Sequence, residues 1–201
     1  MPTKNARGKI SRHNTNKIRI IAGDWRGRKL TFPSIPGLRP TGDRMRETLF
    51  NWLAPYIHQA RVLDLFAGSG ALGIEALSRG AISCIFVESD QHAARGLAEN
   101  LSALKCKNAQ VMDQDAFKAL NTLAPHSVDL LFLDPPFDSQ LHNRILDRVC
   151  SCQALAQSAL VYIEAPVNET IEIPANWLLL NTKVSGQVSF SLYMAKSEAS
   201  S

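Results

Sequence analysis

Residues 61–73 constrain the fold more than any other stretch of the chain. An apolar run, Val62 to Phe66, leads directly into Ala67-Gly68-Ser69-Gly70-Ala71-Leu72-Gly73, a G-x-G-x-x-G that opens a helical segment. Glycines at this spacing let a chain turn tightly at the end of a strand and bring its backbone close to a ligand. Downstream, short apolar runs alternate with amphipathic ones, the pattern of a mostly parallel α/β sheet covered on both faces. Strands are predicted at Val62 to Phe66, Ile82 to Glu88, Ala109 to Met112, Val128 to Asp134 and Ala159 to Glu164. Helices are predicted at Ala71 to Arg79, Gln91 to Leu104, Ala116 to Leu123 and Gln140 to Cys152. Trp177 to Val184 and Gln187 to Met194 are separated by only Ser185-Gly186, which predicts an antiparallel C-terminal hairpin at one end of the sheet.

Upstream of residue 61 the chain reads differently. Lys17 to Ala22 and Arg28 to Phe32 are β-rich runs flanking Gly23-Asp24-Trp25-Arg26-Gly27, which fits a small N-terminal hairpin with a glycine-bounded turn. Pro33 to Pro40 reads as an extended connector. Thr41 is the expected N-cap of a helix whose Met45, Leu49, Trp52 and Leu53 form one apolar stripe, with Arg44, Arg46 and Asn51 off it. The organisation expected is a basic tail (1–16), a hairpin-and-helix segment (17–58), the main α/β domain (59–196) and a short tail (197–201).

Charge follows the same division. Of 22 Lys and Arg, 12 lie between Met1 and Arg46, against only Asp24 and Asp43, while the remaining 155 residues carry 10 basic and 16 acidic side chains. A basic segment on an acidic body points to a polyanionic partner for that segment. No run approaches the 18 apolar residues of a membrane span, and the N-terminus lacks the apolar stretch of a signal peptide, so a cytoplasmic protein is expected. Cys84, Cys106, Cys150 and Cys152 have neither C-x-x-C spacing nor a suitably spaced His, so reduced thiols and no metal site are expected.

The glycine loop alone fits either a nicotinamide cofactor or S-adenosylmethionine, and Glu88, ending the second predicted strand, suits a ribose hydroxyl in both. Asp64 shifts the choice. A carboxylate inside the first strand repels a pyrophosphate but can orient the loop or meet a cationic amino-acid moiety. The candidate cofactor residues are therefore Asp64, Phe66, Ala67, Gly68, Ser69, Gly70 and Glu88. Asp115 and Ala116 join them, Asp115 resembling the acid that meets the adenine amine in such enzymes while also suiting a helix cap.

The run Val128 to Leu133 ends in Asp134-Pro135-Pro136-Phe137. In an open α/β sheet this belongs at the carboxyl edge beside the glycine loop. Two successive prolines stiffen the turn and remove amide donors, leaving the Asp134 carboxylate and the Pro135 carbonyl as acceptors. An exocyclic amine donating to both is held with its nitrogen facing a sulfonium methyl. Phe137 offers a ring for a splayed-out base, typically worth about 1–3 kcal/mol.

Asp64-Leu-Phe-Ala-Gly-Ser-Gly70, Glu88, Asp134-Pro-Pro-Phe137 and Arg39-Pro-Thr-Gly-Asp-Arg-Met-Arg-Glu-Thr-Leu-Phe-Asn-Trp52 together resemble the bacterial RsmD family of small-subunit ribosomal RNA guanine-N2 methyltransferases. The resemblance covers roughly Ile18 to Met194 and departs from the family pattern at Gly42. It implies a Rossmann-like class I methyltransferase fold with a seven-stranded sheet. It also implies transfer from S-adenosylmethionine to N2 of one guanine, guanine 966, of 16S rRNA in the small ribosomal subunit or its assembly intermediate. Arg26, Arg28, Lys29, Arg39, Arg44 and Arg46 are expected to line the RNA-facing surface, and a monomer is expected. A DNA amino-methyltransferase, a nicotinamide-dependent oxidoreductase and a non-catalytic RNA-binding protein are the competing readings.

Overall fold

The computed structural model describes residues 15–33, 42–136 and 141–196. Two strands, β1 (Thr15–Arg19) and β2 (Lys29–Pro33), pair antiparallel and precede α1 (Asp43–Leu53). The α/β region then runs β3 (Arg61–Asp64), α2 (Ala71–Ser78), β4 (Ser83–Glu88), α3 (Gln91–Ala103), β5 (Ala109–Asp113), α4 (Ala116–Leu120), β6 (Val128–Leu133), α5 (Leu141–Ser151) and β7 (Leu155–Pro166). It closes with β8 (Trp177–Ser185) and β9 (Val188–Ala195). The order β5-β4-β3-β6-β7-β9-β8 forms a seven-stranded sheet, parallel from β5 to β7, with β9 antiparallel between β7 and β8.

Each predicted strand and helix is present, with ends displaced. The strand ahead of the glycine loop ends at Asp64, because Leu65 and Phe66 already belong to the turn. The fourth helix stops at Leu120 rather than Leu123. Its Asn121 and Thr122 amides bond back three residues, to Lys118 and Ala119, in a tightened last turn.

Period-2 alternation divides the apolar residues between two cores. Val62, Phe86, Leu130, Phe132, Leu160, Tyr162, Phe190 and Leu192 share one with the N-terminal hairpin, α1, α2 and α3. Leu63, Leu65, Leu131, Leu133, Val161 and Ile163 share the other with α4 and α5. On the first face Phe132 lies edge-on to Phe50 of α1 and to Tyr162, and Tyr162 stacks on Phe190. The site residues are therefore built onto a rigid aromatic layer.

The helix α1 differs from expectation at its start and along its buried face. The cap position falls on Gly42, which offers no side-chain hydrogen bond; Thr41 itself lies outside the described residues. The buried face is Met45, Arg46, Leu49, Phe50 and Leu53, wider than the expected stripe, and Trp52 is only partly buried.

Candidate functional site at the carboxyl edge of the sheet

The strand order reverses between β3 and β6, and in open α/β sheets such a switch point, beyond the carboxyl ends of the strands, is where ligands bind. From β3 comes the glycine loop. Its Ala67 N–H donates to the Val87 carbonyl at 2.9 Å and its Gly70 N–H to the Ala67 carbonyl at 2.7 Å, tying the turn to β4 and to itself. Gly70 sits at φ +75° as the cap of α2, and a Cβ there would lie 2.3 Å from Leu97 Cδ1. Only glycine fits both constraints. Ser69 and Ala67 are buried, whereas Phe66 and Gly68 are half-buried.

Two carboxylates hold this loop. Asp64 Oδ2 accepts the Gly73 N–H at 3.0 Å, linking the end of β3 to the first turn of α2. Glu88 ends β4 and accepts the Gly68 N–H at 2.7 Å through Oε2 and the Asp90 N–H at 2.8 Å through Oε1. Burial pushes the Asp64 carboxyl up to about 7, opposed by the Gly73 hydrogen bond and assisted by the charge of Glu88. Asp115 behaves as a cap: its Oδ1 accepts from the Phe117 and Lys118 amides at the start of α4, with Ala116 buried beside it.

Asp134 follows the last residue of β6, with Pro135 buried and Pro136 exposed. Burial comes first, then the charges of Glu164 and Asp64, in pushing its carboxyl well above the usual carboxylate range. Asp64 and Asp134 are thus brought together across β3 and β6. Phe137 and Asp138 lie outside the described residues, as does Arg39. Sequence reasoning did not single out Glu164, a buried acid within β7. An acid closing an apolar strand, as Glu88 closes β4, was the available signal.

The N-terminal hairpin seats its turn on α2. Ile21 and Ala22 donate their amides to Glu75 Oε2 and Oε1 at 2.7 and 3.0 Å. Asp24 N–H donates to the Ser78 carbonyl at 2.8 Å, Trp25 N–H to Ser78 Oγ at 3.0 Å, and Ser78 Oγ–H to the Ala22 carbonyl at 2.6 Å. Gly23, at φ +80°, is required by this contact, since a Cβ would fall 1.7 Å from the Ser78 carbonyl oxygen. Sequence reasoning missed Glu75, because the two amides it accepts lie more than 50 residues away.

Arg26, Arg28, Lys29 and Arg44 are exposed, as expected of a basic surface. Arg26 and Arg44, with Arg19, line a groove of about 360 Å³ between the hairpin and α1. Arg28 donates through Nη2 to the Ala103 carbonyl at the end of α3. Arg46 corrects the expectation. It is fully buried, donates to the Arg19 carbonyl at 2.9 Å and to Asp43 at 2.6 Å, and lies 3.9 Å from Glu75. A side chain one turn from Phe50 on α1 faces inward with it, so Arg46 joins hairpin to helix and is not part of the RNA-facing surface.

The four cysteines are free thiols. Among the described residues no cluster suits a metal ion, and no helix is long and apolar enough to cross a membrane.

Comparison with known proteins bears on this arrangement. Residues 18–194 match the family described as Conserved hypothetical protein 95. The chain is 46% identical to ribosomal RNA small subunit methyltransferase D of Escherichia coli K12 over 195 residues, covering 96% of this chain and 98% of that one. Its identity to the Haemophilus influenzae protein of the same name is 47%, over 95% and 96% of the two chains. An E. coli structure described as a candidate methyltransferase, yhhF, superposes with a TM-score of 0.82 at 46% identity, covering 91% of this chain and all of that one. The fold is also that of a Thermus thermophilus 16S rRNA N2 G1207 methyltransferase in complex with AdoMet and guanosine, at a TM-score of 0.65 and 21% identity over 91% of this chain and 50% of that one. A Rossmann-like methyltransferase sheet, a carboxylate-braced glycine loop and a near full-length match converge on one assignment: the chain belongs to the ribosomal RNA small subunit methyltransferase D (RsmD) family.

Proposed function

We propose that the chain transfers the methyl group of S-adenosylmethionine to the exocyclic N2 of one guanine in 16S rRNA, guanine 966 by family resemblance, with the small ribosomal subunit or its assembly intermediate as substrate. The observation that carries this reading is the β3–β6 register at the switch point, which sets Asp64 opposite Phe132, two residues before Asp134, so that the charge of Asp64 is one of the causes that push the Asp134 carboxyl up. Two carboxylates, Asp64 buried and Asp134 partly so, neither in an ion pair with Lys or Arg among the described residues, match a ligand that is itself cationic.

S-adenosylmethionine suits this donor set, having a cationic amino-acid end, a ribose diol and an adenine. Asp64 would hold the amino-acid end, Glu88 the ribose, and Asp115 with Ala116 the adenine, while Phe66, Ala67, Gly68, Ser69 and Gly70 would form the wall. Bound S-adenosylmethionine supplies the electrophilic methyl group. The chain's own part is orientation: Asp134 and the Pro135 carbonyl accept the two N–H bonds of the guanine amine and fix the direction of its nitrogen lone pair. As positive charge develops on that nitrogen, the Asp134 carboxylate stabilises it and is placed to take the released proton. Pro136 stiffens the turn, and Phe137 stacks on the base once it leaves its own stack.

Arg26, Arg28, Lys29 and Arg44 supply phosphate contacts, joined by Arg39 from the connector. Phosphate contacts of this kind serve RNA and DNA alike, so the substrate base decides between this reading and a DNA amino-methyltransferase. The test is transfer from methyl-labelled S-adenosylmethionine to small subunits lacking the modification, followed by nucleoside analysis. Label recovered as N2-methylguanosine at one position supports the proposal. Label in DNA or protein, or none at all, removes it.

A further inference from the structure

We propose that Glu164 reads the Watson–Crick edge of the target guanine, accepting its N1–H beside the N2 amine that Asp134 holds. This specificity role rests on the proposed guanine-N2 reaction. Strands β6 and β7 are parallel, and the pairs Leu130↔Leu160 through Leu133↔Ile163 run in unbroken register to the carboxyl edge. Asp134 and Glu164 are the next residue on each strand, so they stand at one level of the sheet. Alternation puts both on the face that carries Phe132 and Tyr162, whose rings meet edge-on at 6.1 Å. The charge of Glu164 is one of the causes that push the Asp134 carboxyl up, which agrees with this proximity.

The Glu164 side chain is held in place rather than left to rotate. The fully buried Tyr162 donates its hydroxyl to Glu164 Oε2 at 3.2 Å, and burial together with the Glu164 charge pushes the Tyr162 hydroxyl well above its ordinary range. From the opposite side of the sheet, buried His142 of α5 donates through Nε2 to the Glu164 carbonyl at 2.9 Å. Its Nδ1 lies 2.9 Å from Glu169 Oε1. The end of β7 is therefore fixed in backbone and side chain alike.

The chemistry of this edge selects guanine. Guanine presents adjacent donors, N1–H and the N2 amine, whereas adenine presents an acceptor at N1. A carboxylate has two oxygens and about four lone-pair sites, so Glu164 can keep the bonds that hold it, the Tyr162 bond among them, and still accept from N1–H. An N1 lone pair facing the same carboxylate leaves a buried acceptor unpaired, the kind of mismatch by which a polar site rejects an analogue. Asp134 orients whichever amine arrives; Glu164 decides which base brings it.

The experiment uses small subunits reconstituted on ligated 16S rRNA carrying either guanine or 2-aminopurine at the target position. 2-Aminopurine keeps the reactive amine but has an N1 acceptor. The unsubstituted protein should prefer guanine by about a hundredfold in kcat/KM. Glu164→Gln keeps the shape and an acceptor for Tyr162, and its amide N–H can face the N1 acceptor; that preference should narrow at least about tenfold. Tyr162→Phe, which removes one of the bonds that hold the carboxylate, should narrow the preference by a smaller factor. An unchanged ratio in Glu164→Gln, with guanine still methylated at N2, overturns the role of Glu164 alone. Failure of the unsubstituted protein to methylate guanine overturns the parent reading with it.

Discussion

Glu75 and Asp64 are both buried carboxylates within the same 12 residues, yet their surroundings are opposite. Glu75 is surrounded by donors: the Ile21 and Ala22 amides, Arg79 Nε at 2.7 Å and Arg46 at 3.9 Å. Arg79 in turn lies over the Phe50 ring, 4.9 Å from its centroid. Asp64 has the Gly73 amide and acidic neighbours, and Asp134 has burial and two further carboxylates. A buried charge is normally paired. The first region obeys that rule and fastens the hairpin to α2. The second meets it differently at the mouth of the sheet, where its carboxyls are pushed up towards the neutral form and a cationic ligand would favour their ionised form. The same physics thus distinguishes a carboxylate that holds the fold from carboxylates that await chemistry.

The comparison can be broken most severely at Asp134. Asp134→Ala should lower kcat by about 10³ while leaving cofactor affinity nearly intact, as expected when a group acts on the reacting amine rather than on the donor; single-turnover rates and calorimetric cofactor binding on one preparation measure both. Next in size is Glu75→Ala, which leaves the Ile21 and Ala22 amides without their acceptor and takes the buried counter-charge from Arg79 and Arg46. It should cost roughly 3 kcal/mol, seen as a thermal midpoint lower by roughly 10 °C, and a midpoint within 2 °C or so of the parent would mean that Glu75 is not the fastening group. Glu88→Ala should weaken cofactor binding about tenfold or more in the same calorimetric titration, with a smaller effect on the bound-state rate.

Asp64 gives a smaller effect with the opposite sign. Its carboxyl is raised from 3.8 to about 7 in the fold, so between those values the native state holds a proton that the unfolded chain has lost. Stability from this group is present below the unfolded value and falls as pH rises towards about 7. Asp64→Asn retains an acceptor for the Gly73 amide and removes that penalty. The cofactor-free variant should melt higher than the parent at pH 8, by roughly 5 °C, with the gap closing at pH 5, while cofactor affinity drops. Smallest are single Ala substitutions at Arg26, Arg28, Lys29 and Arg44: each should weaken RNA binding a few-fold and lower the salt-dependence slope by about one, as read from binding isotherms at several salt concentrations.

The difference between the two regions also explains what could be read from the chain alone. The glycine loop, Glu88 and Asp134-Pro135-Pro136 are local signals, since each is a short motif at the end of an apolar run and local geometry fixes its place. The parallel sheet and its antiparallel hairpin follow from the same alternation. Glu75 carries no such mark. In Ala71-Leu72-Gly73-Ile74-Glu75-Ala76 it reads as an ordinary helix acid, and only the hairpin returning from 53 and 54 residues upstream buries it. Arg46 was misjudged for the same reason: its inward direction depends on the Arg19 carbonyl and Glu75 being on the other side. Glu164 needed the β6–β7 register, because its relation to Asp134 exists only when Leu133 and Ile163 are paired.

The most direct measurement is a titration of the Asp134 side-chain carboxyl by carbon-detected NMR, first in the free protein and then with S-adenosylmethionine bound. The account predicts a carboxyl that titrates well above the ordinary aspartate range when free and moves down when the cation arrives, since a positive charge favours the ionised form. An ordinary aspartate titration in both states would contradict it.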